Sequence, residues 1–373
     1  MKQMAATMPF SSLILDDGST AVLEQPDEAL RTPGRLRDKF GRAITDLRVS
    51  VTDRCNYKCV YCRTGNEGAQ YTELPIADYL RMVRSFVSLG VEKVRLTGGE
   101  PLLRSGLVEM VRELSAMRTA YLPDGTYAGD AGVPLDLALT TNGHLLDGLA
   151  QPLKDAGLNR VTVSMDAVDA ETFASITRVP RSFDKVLAGI RKAQAVGLGP
   201  VKVNSVLLRG FNDGQIEQFA DFSRSEGVIV RFIEWMPLEE DRSWKRETVI
   251  AMDEIVERLN AYRPLVELAP HAASETAKRF TFDDGVGEIG IIAPVSRPFC
   301  GHCSRVRLTS DGKIRTCLFS QSDHDLYGEM VRGGTDAELA AYIRKTVMRK
   351  EARHHIGEPG FQKPSRNMVH IGG

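Results

Sequence analysis

The chain has 373 residues, 42% of them hydrophobic and 26% charged, and a formal net charge of −1. This is the composition of an ordinary globular protein, and the balanced charge gives no indication of a nucleic-acid or membrane partner. No apolar run approaches the roughly 20 residues that span a bilayer, and the N-terminus lacks the apolar segment of a signal peptide, so we expect a cytoplasmic protein. All six cysteines fall into two groups of three, which favours metal or cluster binding in a reducing compartment over disulfides.

The first part of the chain divides into an arm and a repeating βα unit. Residues 1–36 lack sustained periodicity and predict a loosely ordered arm, and 37–45 lead into the first strand. Residues 37–264 then alternate short β-branched runs with amphipathic runs. The first predicted strand starts at Arg48, and the other five cover 91–96, 135–140, 161–164, 201–208 and 228–233. The predicted helices cover 74–89, 105–117, 145–156, 183–196, 215–226 and 252–262. Six such units predict an α/β fold, a partial (βα)6 TIM-type barrel with its chemistry at the carboxyl ends of the strands.

Two segments lie outside this alternation. Residues 119–134, rich in Pro, Gly and Asp, predict a surface insertion. Residues 265–373 predict a smaller C-terminal α+β domain, which begins with a hairpin over 276–282 and 288–292. This domain carries the second cysteine group and ends in Gly372-Gly373.

The first cysteine group, C-x3-C-x2-C at Cys55, Cys59 and Cys62, directly follows the first predicted strand. A disulfide would leave one cysteine over, and a structural zinc site normally has four protein ligands. Three thiolates suit a [4Fe–4S] cluster with one iron left open for a substrate or cofactor.

A glycine turn, Gly98-Gly99-Glu100-Pro101, follows the second predicted strand. Its glycines allow close approach of the backbone to a ligand, and we do not expect Glu100 in the core there. A plain βα turn is the alternative for this segment alone. Together with the cysteines and Tyr61, however, the turn resembles the radical S-adenosylmethionine (SAM) enzymes. The resemblance implies a [4Fe–4S] cluster whose open iron binds SAM, and a 5′-deoxyadenosyl radical that abstracts hydrogen from substrate.

The second group, C-x2-C-x13-C at Cys300, Cys303 and Cys317, again offers three thiolates. A Cys3His zinc site with His302 is the alternative, but His302 adjoins Cys303 and is poorly placed to complete the same tetrahedron. A second cluster with an open iron is therefore favoured.

The residues after Cys303 indicate an anionic ligand. Arg305 and Arg307 alternate along a predicted strand, so both point to the same side. Two guanidiniums beside a cluster favour an anionic ligand with a planar edge, and a solvated charge pair is the alternative.

From about Arg48 to the C-terminus, the two cysteine groups and the Arg-x-Arg pair resemble the GTP 3′,8-cyclases, the MoaA-type enzymes of molybdenum cofactor biosynthesis. The resemblance implies a lyase that converts GTP to (8S)-3′,8-cyclo-7,8-dihydroguanosine 5′-triphosphate, beginning with abstraction of the ribose C3′ hydrogen. It implies two [4Fe–4S] clusters, SAM at the first and GTP at the second. It also implies an electron donor, a homodimer, and cyclic pyranopterin monophosphate synthase as the downstream enzyme.

The resemblance also assigns roles to single residues. The expected SAM contacts are Tyr61, Gly99, Ser164, Asn204 and Met236. The expected GTP contacts are Arg48, Arg95, Thr140, Lys202, Arg305 and Arg307, of which Arg305 and Arg307 are also expected to be catalytic. The terminal Gly-Gly matches the family, and we hypothesise that it reaches the active site.

Two other functions are weighed against this one. A radical SAM maturase that modifies peptides would share the first motif, but such enzymes commonly carry more C-terminal cysteines than the three found here. A non-catalytic zinc or iron–sulfur scaffold would not react with SAM.

Overall fold

The computed structural model describes residues 34–62, 69–122, 124–129, 131–239 and 244–372. Of residues 1–33 it describes only the backbone of two short antiparallel strands, β1 (Ser12–Ile14) and β2 (Thr20–Val22). The arm predicted over 1–36 therefore lies mostly outside the described residues, and so does Gly373. No described helix is both long and apolar enough to cross a bilayer.

Six strand–helix units form the main body of the chain and confirm the predicted partial barrel. They are β3 (Asp46–Ser50) with α1 (Ile76–Ser88), β4 (Lys93–Thr97) with α2 (Leu107–Ala116), β7 (Asp136–Thr141) with α3 (Leu146–Asp155), β8 (Arg160–Ser164) with α4 (Ala170–Thr177) and α5 (Phe183–Ala195), β9 (Lys202–Leu207) with α6 (Ile216–Glu226), and β10 (Ile229–Glu234) with α7 (Met252–Tyr262). The six strands are parallel neighbours in chain order. The predicted insertion forms a short hairpin of β5 (Arg118–Thr119) and β6 (Val133–Pro134).

Helix α4 was not predicted from the sequence. Its eight residues include Thr and Ser as well as apolar residues, so the helical period is short and weak. The signal that marks it is Asp169, whose Oδ1 accepts hydrogen bonds from the backbone N–H groups of Glu171 and Thr172, both at 2.9 Å.

The C-terminal part extends the barrel sheet at both ends. Its elements are β11 (Leu265–Leu268), β12 (Lys278–Phe282), β13 (Glu288–Ile292), β14 (Arg305–Leu308), β15 (Lys313–Arg315), β16 (His324–Asp325), α8 (Leu326–Val331), α9 (Asp336–Val347) and α10 (Met368–Ile371). The hairpin predicted over 276–292 is present as β12 and β13. Strand β13 pairs in parallel with β10, and β14 pairs in parallel with β3, which gives one sheet of 12 strands. The predicted domain boundary at 264/265 falls between α7 and β11, so strands of both predicted domains belong to this one sheet. The boundary stays a prediction.

The barrel strands have one apolar and one polar face. In β3, Leu47 and Val49 are fully buried and belong to the large core that includes apolar residues of the helices. Arg48 alternates with them and therefore lies on the opposite face of the sheet. This polar face carries the predicted GTP contacts.

Candidate active site

The strand register places predicted GTP-contacting residues side by side on the polar face. Arg307 of β14 lies opposite Arg48 of β3, and Arg48 lies opposite Arg95 of β4. Since neighbouring strands are about 4.8 Å apart, three arginines originate from adjacent positions on three strands. The two Arg-bearing motifs, more than 250 residues apart in sequence, meet here.

A second set of polar residues continues across the next strands. Thr140, Thr162 and Lys202 occupy facing positions on β7, β8 and β9. The Arg95 guanidinium connects the two sets, because its Nη1 donates to the hydroxyls of Thr140 and Thr162 at 3.2 and 3.3 Å.

Ser164, Asn204 and Arg231 form a further row across β8, β9 and β10. Arg231 was missed by the sequence analysis, and its Nε donates to the Asn204 side-chain oxygen at 2.9 Å. The sequence feature that could have identified Arg231 is a single arginine in a strand rich in β-branched residues, on the same face of the strand as Ile229 and Ile233.

Burial and mutual repulsion lower the pKa of several of these cations. Burial, followed by the charges of Arg231 and Arg160, lowers the pKa of Lys202 to about 8. Burial, followed by Arg95 and Arg160, lowers that of Arg231 to about 9. For Arg48, burial and then Arg307 lower the pKa well below its ordinary value. Such a group of cations is suited to a polyanion, which would relieve the repulsion.

Unsatisfied donors support the same conclusion. The buried Nε atoms of Arg48 and Arg305 have no hydrogen-bond partner among the described residues. Because an unpaired buried donor is costly, both atoms are suited to an acceptor supplied by a ligand.

The first cysteine loop is held by the helix that the sequence analysis missed. Backbone N–H groups of Lys58 and Val60 donate to the carbonyls of Thr177 and Ile176, at the end of α4. Burial raises the pKa of Cys59 well above its ordinary value, with further contributions from Asp166 and from the neighbouring Cys62 and Cys55. The three predicted cluster thiols are therefore close enough to interact electrostatically.

The glycine turn packs against the backbone of this loop. A Cβ atom on Gly98 would lie 2.4 Å from the carbonyl oxygen of Thr52, and one on Gly99 would lie 2.3 Å from that of Arg54. Close approach to the cysteine loop therefore explains both glycines, in addition to any approach to a ligand.

Glu100 is a core residue, contrary to the expectation from the sequence. It is fully buried, and its carboxylate accepts hydrogen bonds from the Thr141 hydroxyl and from the backbone N–H groups of Leu102 and Asn142, at 2.6 to 2.9 Å. Burial raises the pKa of Glu100 to about 7, against these three bonds. Glu100 is buried because three donors satisfy its carboxylate, and two of them, Thr141 and Asn142, come from the end of β7, which only the fold brings near.

The hydroxyl of Tyr61, a predicted SAM contact, is hydrogen-bonded to a buried carboxylate. Its hydroxyl donates to Asp166 Oδ2 at 2.7 Å, while Asp166 Oδ1 accepts from the Val206 backbone N–H at 2.8 Å. Asp166 lies two residues after Ser164, so it connects the cysteine loop to the strands that carry Ser164 and Asn204.

The second cysteine group lies beside two cations. Arg305 Nη2 is 3.5 Å from the Cys303 sulfur, and Lys350 donates to the carbonyl oxygens of Arg305, at 2.8 Å, and of Thr316. Burial opposes ionisation of Cys303, but the charges of Arg305 and Lys350 outweigh it and lower the pKa to about 6. A thiolate ready to bind iron therefore lies next to an arginine that is predicted to contact GTP.

Within the described residues, no group of three or more His, Cys, Asp or Glu side chains is positioned to hold one metal ion. A four-iron cluster binds each thiolate at a different iron, so the cluster predicted for each group of three thiols does not require such a group.

A small hydrophobic cluster joins the two predicted ligand sites. Met236, expected to contact SAM, and Cys317, of the second cysteine group, both pack against it. The cluster contains Leu238, Val249, Val295, Phe319, Ile356 and Ile371.

The C-terminal tail reaches the polar face of the barrel. The carbonyl oxygen of Gly372 accepts a hydrogen bond from Arg307 Nη1. Gly372 has φ of +80°, and a Cβ atom there would lie 2.9 Å from Thr97 Cγ2 and 3.1 Å from Ser50 Cβ, at the carboxyl ends of β4 and β3. At least the first residue of the Gly-Gly pair thus lies among the predicted GTP contacts.

Comparison with family models divides the chain into two matches. Residues 49–223 match the Radical SAM superfamily, and residues 228–356 match Molybdenum Cofactor Synthesis C. These two stretches carry the first and the second cysteine group, respectively.

Close relatives cover nearly the whole chain. It is 44% identical over 322 residues to the GTP 3′,8-cyclase of Acidothermus cellulolyticus, covering 84% of this chain and 85% of the relative. It is 43% identical to that of Corynebacterium glutamicum, covering 91% and 89%. Identity to that of Mycolicibacterium smegmatis is 39%, with both chains covered completely.

Among solved structures, Streptococcus suis SuiB bound to S-adenosylmethionine is similar with a TM-score of 0.53 and 14% identity, covering 88% of this chain and 78% of SuiB. At that identity the likeness concerns the fold alone.

Proposed function

The chain belongs to the GTP 3′,8-cyclase family of radical SAM enzymes, and we propose that the candidate active site carries out the family reaction through the residues named below. The enzyme is a lyase that converts GTP to (8S)-3′,8-cyclo-7,8-dihydroguanosine 5′-triphosphate in the first step of molybdenum cofactor biosynthesis, with two [4Fe–4S] clusters and SAM. The relatives support this activity and not the maturase or scaffold alternatives.

We assign the cofactors to the two cysteine groups. Cys55, Cys59 and Cys62 hold the first cluster, and Cys300, Cys303 and Cys317 hold the second. When bound, the reduced first cluster and SAM supply the 5′-deoxyadenosyl radical that removes hydrogen from the ribose C3′ of GTP.

The SAM side of the site consists of two strand ends and the cysteine loop. Ser164 and Asn204 present polar side chains at facing positions, and Tyr61 is held against Asp166. Gly99 lies in the turn packed on the cysteine loop, and Met236 contributes an apolar surface. Together these five residues orient SAM at the open iron.

The GTP side is carried by the cations of the polar face. Arg48, Arg95, Lys202, Arg231 and Arg307 neutralise the triphosphate, with Thr140 positioning Arg95. Arg305 lies between this group and Cys303, so it holds the nucleotide beside the second cluster. The observation that carries this assignment is the alignment of Arg307, Arg48 and Arg95 across three strands, where an anion would relieve the repulsion between neighbouring guanidiniums.

Three further expectations remain predictions of family membership. They are an electron donor, a homodimer, and cyclic pyranopterin monophosphate synthase acting on the product. We also retain the prediction of a cytoplasmic location from the sequence.

The test is 5′-deoxyadenosine formation by anaerobically reconstituted, reduced protein with SAM and GTP, with SAM and ATP, or with SAM alone. We expect strong stimulation by GTP only. Equal cleavage in all three conditions would remove GTP as the substrate while keeping the radical chemistry. The metal and sulfide content of the same preparation is measured in parallel, and bound zinc without sulfide would remove the enzyme assignment.

The cation assignment needs its own comparison. We expect Arg307→Ala to lose most GTP-dependent product, because a buried charge-assisted contact is worth about 1.5–3 kcal/mol, or roughly tenfold to a hundredfold in affinity. The matched control is Arg191→Ala, whose side chain is 59% exposed and pairs with Glu226 on the surface. Equal activity of the two variants would contradict the assignment.

A further inference from the structure

The segment before the first barrel strand contains a preorganised arginine. Asp38 Oδ1 accepts hydrogen bonds from the backbone N–H groups of Phe40 and Arg42, at 2.9 and 3.0 Å, and Asp38 Oδ2 accepts from Arg42 Nε at 2.6 Å. The Arg42 side chain is only 7% exposed, and that of Asp38 is fully buried at 0%. The guanidinium is thus fixed by its own turn before it contacts any distant part of the chain.

The outer edge of that guanidinium binds three distant carbonyl groups. Arg42 Nη1 donates to the carbonyl oxygens of Cys300 at 2.8 Å and Ala352 at 2.9 Å, and Nη2 donates to that of Glu351 at 2.6 Å. With the bond to Asp38, four of the five guanidinium N–H donors are used. One side chain therefore joins the 38–42 turn, the second cysteine loop and the segment at 351–352.

The same C-terminal segment supports the second cysteine group in other ways. Lys350 donates to the carbonyl of Arg305, and the backbone N–H of His354 contributes a hydrogen bond to the Cys300 sulfur. Arg42 fixes this segment to the Cys300 backbone, so it sets where the Cys300 thiol stands relative to Arg305.

We propose that Arg42 is a positioning residue for the second cluster, which holds the Cys300 loop in the geometry that binds iron and presents GTP to it. The proposal rests on the assignment of the cluster to Cys300, Cys303 and Cys317. A lysine cannot replace it, since a single ammonium group cannot satisfy a carboxylate and three carbonyls that diverge around a planar fork.

The first experiment uses the full-length, reduced, metal-free protein and measures the alkylation rate of each cysteine by mass spectrometry. In Arg42→Lys we expect Cys300 to react about tenfold faster than in the wild type, because loss of charged hydrogen bonds favours local opening of the loop. Cys55, Cys59 and Cys62, in the other loop, serve as the internal reference and keep their rates. The control variant is Arg191→Lys.

The second experiment uses the reconstituted protein. We expect Arg42→Lys to keep the iron and sulfide of the first cluster and to retain less at the second. In the remaining active fraction, we expect the KM for GTP to rise while that for SAM stays unchanged. Asp38→Asn, which keeps the guanidinium but weakens its anchor, gives a smaller change in the same direction. Wild-type alkylation of Cys300 in Arg42→Lys, or equal acceleration at both cysteine groups, overturns the proposal.

The two experiments separate this proposal from the proposed function. Failure of the wild type to turn over GTP would not alter the alkylation pattern of the metal-free chain. Conversely, if the wild type is an active cyclase and the alkylation rate of Cys300 is unchanged in Arg42→Lys, only the role of Arg42 is rejected.

Discussion

Single charged residues of the polar face lower the stability of the folded protein, because their charges are buried and close to one another. The pKa of Lys202 falls from 10.5 to about 8 because the group is buried and Arg231 and Arg160 are near. Between these values the unfolded chain binds more protons than the folded one, so this residue makes the folded protein more stable as pH rises through that window. A bound triphosphate reverses this, because it favours the charged ammonium.

The first prediction concerns GTP affinity as a function of pH. Above about pH 8 Lys202 loses its proton in the free enzyme, so we expect the dissociation constant of GTP to rise there, by up to about tenfold for the loss of one close ion pair. Binding measured by calorimetry in two buffers of different ionisation enthalpy should show proton uptake near this pH. Lys202→Arg, whose guanidinium has a higher ordinary pKa than an ammonium group, should move this rise to higher pH. An unchanged slope in that variant would assign the titration to another group, such as Arg231.

The second prediction concerns the hydrogen bond between Tyr61 and Asp166. Removing the hydroxyl in Tyr61→Phe leaves a buried carboxylate oxygen without its donor, which costs about 1–3 kcal/mol in the free energy of unfolding. We expect the KM for SAM to rise more than the KM for GTP, because Tyr61 lies in the first cysteine loop. Denaturant unfolding and steady-state kinetics of Tyr61→Phe, Asp166→Asn and the double variant measure this. If the two single effects simply add, the bond does not couple these residues.

The sequence identified candidate ligand-binding residues more readily than the side chains that support them. The cysteines, Arg48, Arg95 and Lys202 stand in motifs or at strand positions that can be recognised in a linear chain. Glu100 and Arg42 could not be assigned, because their roles depend on donors and acceptors that only the fold brings near. Arg231 shows the intermediate case, since its strand was predicted but its hydrogen bond to Asn204 was not.

At the scale of elements, the glycine turn and the cysteine loop form one unit. The backbone N–H of Gly99 donates to Thr52, and that of Glu100 donates to Arg54, at 2.8 and 2.7 Å. These bonds extend the pairing of β3 and β4 beyond the strand ends. The position of the first cluster therefore depends on how closely two turns can approach.

The third prediction tests that approach with Gly99→Ala. The added Cβ would lie 2.3 Å from the Arg54 carbonyl oxygen, so the turn must move away from the cysteine loop. We expect a loss of about 1–3 kcal/mol in the free energy of unfolding, as for overpacking elsewhere, together with reduced iron content at the first cluster. Chemical denaturation and iron analysis measure both.

Gly148→Ala provides the matched control for this substitution. Gly148 lies within α3, where a Cβ would meet nothing within 4 Å, and alanine favours a helix by about 1 kcal/mol over glycine. Gly148→Ala should therefore be neutral or stabilising. Equal stability of Gly99→Ala and Gly148→Ala would show that the turn can relax without moving the loop.

Element types were predictable where periodicity is long. Helix α7 begins and ends at the residues expected, Met252 and Tyr262, because its apolar spacing runs over three turns. Helix α4 and the C-terminal helices α8 to α10 were not predicted, since they are short or lie in segments where loops and helices alternate rapidly. Their formation depends on packing more than on local propensity.

At the scale of the whole molecule, the sheet brings the two ends of the described chain together. β14 pairs with β3 although some 250 residues separate them, and this pairing sets Arg307 beside Arg48. Sequence patterns could place both residues on strands but not in one register, because register over such a distance is fixed by packing of the complete fold. The second cysteine group and the tail reach the barrel by this same pairing.

The last prediction concerns deletion of Gly372 and Gly373. Arg307 donates to the Gly372 carbonyl, and Ile371 immediately before it is buried in the small hydrophobic cluster beside Met236. Deletion removes the carbonyl that orients Arg307 and leaves Ile371 in place, so we expect the melting temperature and the iron content to stay close to those of the wild type. Product formation with GTP should fall by about tenfold or more, because a misdirected guanidinium loses its charge-assisted contact with the triphosphate. Parallel measurement of cyclised product and 5′-deoxyadenosine separates loss of cyclisation from loss of SAM cleavage, and wild-type turnover by the shortened chain would reject any role of the tail in the active site.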